Sequence, residues 1–176
     1  MCRGATNESP RLIMRDARSK IVTLEKLRDI LLAFRQANKK IVLSNGCFDT
    51  LHVGHVRYLQ AAREEGDVLV TAVNADSSVR ALKGANRPIL DEGARAQLVA
   101  AIDAVDFVVI FGESNVERLL EELRPDVHAK GTDYTSETVP ERATAARLGI
   151  RVAIVGDPKD HSTRALLDSI RKGTNA

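Results

Sequence analysis

The chain alternates between amphipathic helical segments and short, almost continuously apolar runs. Apolar residues recur at helical spacing from Leu24 to Phe34, which predicts a helix over residues 24–38 with Thr23 as its N-cap. The apolar runs that follow lack the polar alternation of a half-exposed sheet, as expected for strands covered on both faces. They predict strands over residues 41–43, 67–73, 106–111, 126–129 and 151–155.

Helical patterns separate these runs, over residues 54–65, 77–82, 92–102, 115–123, 140–148 and about 162–171. Regular alternation of strand and helix predicts an α/β fold: a Rossmann-like three-layer sandwich, with a five-stranded parallel sheet and helices on both faces. Residues 1–20 show no sustained period and are predicted to be a flexible N-terminal tail, with residues 21–176 as one domain. In such a sheet the ligand binds beyond the carboxyl ends of the strands, so the loops after the first, fourth and fifth strands should hold the site.

Composition narrows the function by exclusion. The 176 residues are 44% apolar and 28% charged, with a net charge of +2, so bulk charge gives no reason to expect a nucleic-acid partner. No run reaches the roughly 18 apolar residues needed to span a membrane, and the polar N-terminus is unlike a secretory signal. We expect a cytoplasmic protein with no membrane partner. The two cysteines, Cys2 and Cys47, form no CxxC pair, so neither a zinc site nor a disulfide framework is indicated.

The most informative stretch spans residues 41–59, where a buried strand leads through a glycine turn into a helix that begins with His52 and His55. Free N–H groups and the positive end of the dipole make such a helix start suitable for phosphate. The two histidines are three apart and can face one side, while Gly54 allows close approach to the backbone. An exposed polar helix start is the alternative on spacing alone. Neither a P-loop nor a G-x-G-x-x-G turn is present, which argues against those two nucleotide-binding classes.

Four segments carry a resemblance to a known family. The segment Gly46-Cys47-Phe48-Asp49-Thr50-Leu51-His52-Val53-Gly54-His55 closely resembles the HxGH signature of the cytidylyltransferase-like nucleotidyltransferases. Residues 74–84, the following Arg87-Pro88-Ile89, and Lys130-Gly131-Thr132-Asp133-Tyr134 are similar to the heptose 1-phosphate adenylyltransferases within that superfamily. The resemblance covers about residues 24–171 and implies transfer of AMP from ATP to D-glycero-β-D-manno-heptose 1-phosphate, with pyrophosphate as the second product.

The sequence departs from the heptose branch at three points. No sugar-kinase half precedes the domain, so a stand-alone form is expected, with heptose phosphorylation by another protein. Thr132 replaces the second glycine of the Lys-Gly-Gly-Asp-Tyr segment, and the late hydroxyl signature reads His161-Ser162-Thr163-Arg164, with Arg164 in place of a hydroxyl residue.

The resemblance implies three groups of site residues. Catalytic roles fall to His52, His55 and Lys83. Contacts to ATP, the co-substrate, fall to Cys47, Phe48, Gly54, Arg95, Ser162 and Thr163. Contacts to the acceptor substrate fall to Asp49, Arg87, Lys130, Asp133 and Tyr134. Mg²⁺ is expected to arrive with ATP, held by phosphate and water, and a homodimer is a further expectation from the resemblance.

Several of these residues also have a purely structural interpretation. Cys47 suits a small apolar filler, Lys83 a solvated lysine, Arg95 a surface ion pair, and Ser162 or Thr163 an ordinary N-cap. His128 reads as a satisfied core residue, and His161 is left without a role. Two other functions stay open: a cytidylyltransferase acting on glycerol 3-phosphate or another phospho-alcohol, and a nucleotide-binding regulator without turnover.

Overall fold

A computed structural model describes residues 16–157 and residue 173. Its five strands form one sheet in the order β3-β2-β1-β4-β5, and every neighbouring pair is parallel. The strands are β1 (Ile41–Gly46), β2 (Val68–Asn74), β3 (Phe107–Phe111), β4 (Val127–Gly131) and β5 (Arg151–Val155). The predicted Rossmann-like sheet is confirmed.

The helices are α1 (Leu24–Gln36), α2 (Val53–Glu64), α3 (Asp76–Lys83), α4 (Glu92–Ala100), α5 (Glu117–Leu123) and α6 (Arg142–Leu148). Thr23 caps α1 as predicted, because its hydroxyl accepts a hydrogen bond from the Lys26 N–H at 3.3 Å. The helix predicted over residues 162–171 lies outside the described residues. Of the segment predicted as a tail, residues 16–20 include a short 3₁₀ helix, Ala17–Lys20, capped by Asp16.

The strand pleat explains why the apolar runs are continuous. Ile41 and Leu43 point into a core shared with α1, α5 and α6, whereas Val42 between them points into a second core shared with α2 and α4. Each strand therefore has to be apolar on both faces, which produces three layers. Beyond β3, Ile21 bridges to Val108 and covers part of that edge.

The topology fixes where a ligand can bind. The chain runs outward from β1 through β2 to β3, then returns to the other side of β1 to form β4 and β5. The switch point therefore lies between β1 and β4, at the carboxyl ends of these strands.

Candidate active site

A cavity of about 600 Å³ opens over the carboxyl ends of the strands. This volume is in the range that small-molecule sites occupy. Nine of the residues predicted to act in catalysis or binding from residues 41–59 and 130–134 line it: Cys47, Phe48, Asp49, His52, Gly54, His55, Lys130, Asp133 and Tyr134. Lys83 lines it as well. The sequence motifs, which are more than 70 residues apart, therefore meet at one place, as the parallel-sheet prediction requires.

The glycine turn after β1 is shaped by close packing. A Cβ built on Gly46 would lie 3.1 Å from the Phe48 ring, so a larger residue would displace that ring. Phe48 itself has φ of 46°, in the left-handed region that few non-glycine residues adopt. The turn leads to His52, the N-cap of α2, and because His52, Gly54 and His55 all line the cavity, the start of that helix lies at the cavity.

The two histidines are stacked and mutually oriented. Their ring centroids are 3.9 Å apart, and the His52 backbone N–H donates to His55 Nδ1 at 3.3 Å. Because Nδ1 accepts this bond, the neutral His55 ring carries its proton on Nε2. Phe48 packs against the same ring with centroids 5.2 Å apart. His55 thus has a fixed tautomer whose outer nitrogen is a donor, which is the form that can stabilise phosphate oxygens.

Lys83 approaches from a different element. It is the last residue of α3, and Gly84 follows with φ of 100°, which ends the helix. The side chain is exposed and lines the cavity. Burial raises the pKa of the nearby Cys47 thiol, although the Lys83 and then the Arg95 charge oppose the shift. A thiol that stays protonated is a poor nucleophile, which agrees with Cys47 as a filler of the turn.

Asp49 and Arg87, both predicted to contact the acceptor, are bonded to each other. Arg87 Nη1 donates to Asp49 Oδ2 at 2.5 Å, and the Ile89 N–H donates to Asp49 Oδ1 at 2.6 Å. Asp49 is almost fully buried, and Arg87 does not line the cavity. The pair ties the loop after Lys83 to the glycine turn after β1, so the geometry favours a bracing role over the predicted substrate contacts.

Arg95 is not the surface ion pair that was the alternative for it, because its side chain is fully buried. It is not among the residues that line the cavity, and its contact to ATP stays a prediction. The guanidinium donates to the Cys47 carbonyl at 2.5 Å, to Asp76 Oδ1 at 2.8 Å and to the Leu90 carbonyl at 3.0 Å. Arginine has a rigid fork of donors, which suits one buried side chain to joining three segments. Arg95 therefore holds the glycine turn after β1 from the protein interior.

Lys130 lines the cavity but is 5% exposed. Its ammonium lies 3.3 Å from Glu141 Oε2 and 4.7 Å from the centre of the Tyr134 ring. These neighbours order the wall beyond β4. Thr132, the residue that replaces a family glycine, donates its hydroxyl proton to the Asp157 carbonyl at 2.8 Å and so connects the loops after β4 and β5.

Several predicted or candidate residues fall elsewhere. Ser162 and Thr163, together with His161 and Arg164, lie outside the described residues, and their contacts stay predictions. His128 is buried in β4, as predicted for a core residue. The sequence reasoning missed cavity residues that include Asn45, Asn74 and Glu141. Asn45 and Asn74 could have been found by one signal, a polar residue near the end of an apolar strand.

The described residues contain no cluster of three or more carboxylate, histidine or cysteine side chains that could hold a metal ion. Two of the acidic residues that line the cavity are engaged in ion pairs, Asp49 with Arg87 and Glu141 with Lys130. None of the helices described in residues 16–157 is long and apolar enough to cross a membrane.

A helix start that carries two histidines, at the switch point of a parallel sheet, is the arrangement that defines the HxGH nucleotidyltransferases. The family described as cytidylyltransferase-like matches residues 43–166, and the chain belongs to this family.

Individual relatives agree with this assignment. The chain is 48% identical over 159 residues to the bifunctional protein HldE of Geotalea uraniireducens, covering 90% of this chain and 32% of that protein. It is also 48% identical over 155 residues to the protein of the same name from Geobacter metallireducens, covering 88% and 32% of the two chains. The chain thus spans about a third of the length of these curated relatives.

A solved structure supports the fold. The lipopolysaccharide core biosynthesis protein from Thermoplasma volcanium superimposes with a TM-score of 0.60 at 26% identity. The match covers 69% of this chain and 99% of that one.

Proposed function

We propose that the protein transfers AMP from ATP to D-glycero-β-D-manno-heptose 1-phosphate, giving ADP-heptose for the lipopolysaccharide inner core and releasing pyrophosphate. The observation that carries the proposal is the place of His55 at the start of α2, where its Nδ1 accepts the His52 N–H and the residue lines the cavity. The choice of a heptose rests on residues 74–84 and 130–134, and on the similarity to HldE proteins.

The reaction needs little acid–base chemistry from the protein. An oxygen of the sugar 1-phosphate attacks the α-phosphorus of ATP, the bond to the bridging oxygen breaks, and pyrophosphate leaves with the electron pair. The nucleophile is already an anion, so catalysis rests on alignment of the two substrates and on stabilisation of negative charge.

The described residues supply that stabilisation from two sides. His52, His55 and the N–H groups at the start of α2 approach from β1, and Lys83 approaches from the end of α3. Asp49 and Arg95 act behind these groups by fixing the turn. Mg²⁺ would enter as part of the MgATP substrate, held mainly by phosphate and water.

The residues proposed to contact the acceptor substrate lie at and after the end of β4. Lys130 is already paired with Glu141, so Asp133 and Tyr134 in the following loop are the residues we assign to the sugar hydroxyls. The homodimer and the cytoplasmic location stay predictions. Gel filtration with light scattering would test the oligomeric state.

The deciding experiment is a substrate matrix monitored by pyrophosphate release: ATP or CTP, each with heptose 1-phosphate or glycerol 3-phosphate. We expect release only with ATP and heptose 1-phosphate. A preference for CTP with glycerol 3-phosphate would overturn the proposal in favour of a cytidylyltransferase. Binding of ATP without turnover on either acceptor would favour a regulator. The His55→Ala variant, assayed in parallel, controls for contaminating pyrophosphate-releasing activity.

A further inference from the structure

Asn45 lines the cavity at the carboxyl end of β1. It is the penultimate residue of β1, next to the switch point, and its half-buried side chain lines the cavity. Beside it, β4 contributes His128 and Lys130. A ligand that crosses from one half of the sheet to the other has to pass over this position.

The orientation of the Asn45 amide follows from its neighbours. Lys130 Nζ lies 3.3 Å from Asn45 Oδ1, and an ammonium can only donate, so the contacted atom has to be the oxygen. His128 Nε2 lies 3.2 Å from the same oxygen. The histidine must therefore donate as well, with its proton on Nε2.

The chemistry of His128 agrees with this tautomer. The ring is fully buried, and its Nδ1 has no hydrogen-bond partner among the described residues. A bare lone pair is less costly to bury there than an N–H or a charge. Burial, followed by the Lys130 charge, lowers the pKa of His128 to about 3, so the ring stays neutral.

Lys130 is itself held on two other sides, by Glu141 and by the Tyr134 ring. With its oxygen bonded to two ordered donors, Asn45 cannot exchange its oxygen and nitrogen without losing both bonds. The Nδ2 group, with two N–H donors, is left over, and no described residue accepts a hydrogen bond from it.

We propose that Asn45 donates a hydrogen bond from Nδ2 to an acceptor atom of the bound nucleotide, and that His128 and Lys130 are positioning residues that aim it. This inference rests on the proposed nucleotide site. The acceptor is either a phosphate oxygen or an acceptor atom of the base, and the ligands used below separate these two sources.

The first test measures equilibrium binding of ATP and of inorganic tripolyphosphate to wild type, Asn45→Asp and Asn45→Ala. Asp keeps the oxygen that His128 and Lys130 hold but replaces the donor with an acceptor, whereas Ala removes the donor without adding charge. We expect ATP binding to weaken about tenfold to a hundredfold in Asn45→Asp, and by about tenfold in Asn45→Ala. Parallel losses for tripolyphosphate identify a phosphate contact, and losses confined to ATP identify a base contact.

Asn38→Asp is the matched control, because Asn38 is exposed beyond α1 and receives the same change in charge. It should bind ATP as wild type does. If wild type binds ATP and both Asn45 variants bind within about twofold of it, the inference is overturned while the proposed function stands. If wild type binds no ATP, both are overturned.

A double-mutant cycle tests the positioning role of His128. His128→Phe should weaken ATP binding about threefold to tenfold in the wild-type background, and should have no further effect in Asn45→Ala. Equal losses in the two backgrounds would show that His128 acts through general packing rather than through Asn45, and would overturn the positioning role.

Discussion

The two ends of the parallel sheet use side-chain hydrogen bonds for different purposes. At the amino end, three aspartates accept a backbone N–H at or next to the start of a neighbouring strand, at 2.7–2.8 Å. Each of them directly precedes a strand of its own: Asp67, Asp106 and Asp126. At the carboxyl end, Arg95, Asp49 and Lys130 join a helix, a loop and a strand to their neighbours around a cavity. The amino-end bonds only tie the starts of neighbouring strands together, whereas the carboxyl-end bonds hold the segments that surround the cavity and leave other donors, at α2 and Asn45, for a ligand.

This comparison separates bracing from contact. Arg95 and Arg87 are near the site but are engaged by the protein, so their loss should act first on structure. His55 and Lys83 face the cavity, so their loss should act on the reaction. The predictions below test this division.

Arg95→Met should lower the free energy of unfolding by about 3 kcal/mol, because it removes a buried cation and leaves Asp76 and two carbonyls without a donor. Urea denaturation measures the change. Arg80→Met, at an exposed position of α3, is the matched control and should change stability by less than about 0.5 kcal/mol. A fully stable Arg95→Met protein that cannot bind ATP would instead support the phosphate contact that the sequence suggested.

His55→Ala should lower kcat by roughly a hundredfold or more, the scale for loss of one donor that stabilises charge in a transition state. The variant should keep a normal unfolding curve, since the imidazole lies at the cavity rather than in either core. His55→Gln, which retains an N–H donor, should recover part of the rate. A loss smaller than about threefold in kcat for a folded His55→Ala protein would remove this residue from the mechanism.

The sequence predicted the sheet because its physical cause is local and repeated: parallel strands covered on both faces have to be apolar throughout. It also placed His52 and His55 correctly at a helix start, since that depends on neighbours in the chain. The burial of Arg95 was not predictable in this way. Its acceptors come from Cys47, Asp76 and Leu90, and only the folded chain brings them together.

The orientation of Asn45 has the same origin. Its oxygen is held by His128 and Lys130, which lie 83 and 85 positions further along the chain. The pairing of β1 with β4 brings them together, and the sequence does not specify the register of that pairing. Side-chain chemistry and turn geometry are thus readable from the sequence, while the division of cations between bracing and contact is a tertiary property.

Lowering the pH should reduce the free energy of unfolding, because His128 in β4 is buried and neutral in the folded protein. Above pH 6.5 the ring is neutral in both the folded and unfolded states and contributes no pH dependence. Below that value the unfolded chain takes up a proton that the folded state, with a pKa of about 3, does not, so stability falls by up to about 1.4 kcal/mol per pH unit. Urea denaturation between pH 7.5 and about 5 should show this slope, and His128→Phe should reduce it. Identical slopes in the two proteins would refute the assignment.

Asp126→Ala, at the amino end, should have the smallest effect, because it removes one acceptor from a partly solvated N–H. The Asp126 carboxylate accepts the Ile41 N–H at 2.7 Å, so we expect a loss of about 1 kcal/mol in unfolding free energy. Asp126→Asn retains an acceptor oxygen and should lose less. Turnover by the folded fraction should be unchanged in both variants, since the substitution lies at the end of the sheet opposite the cavity. A fall in kcat without a fall in stability would break the division between the two ends of the sheet.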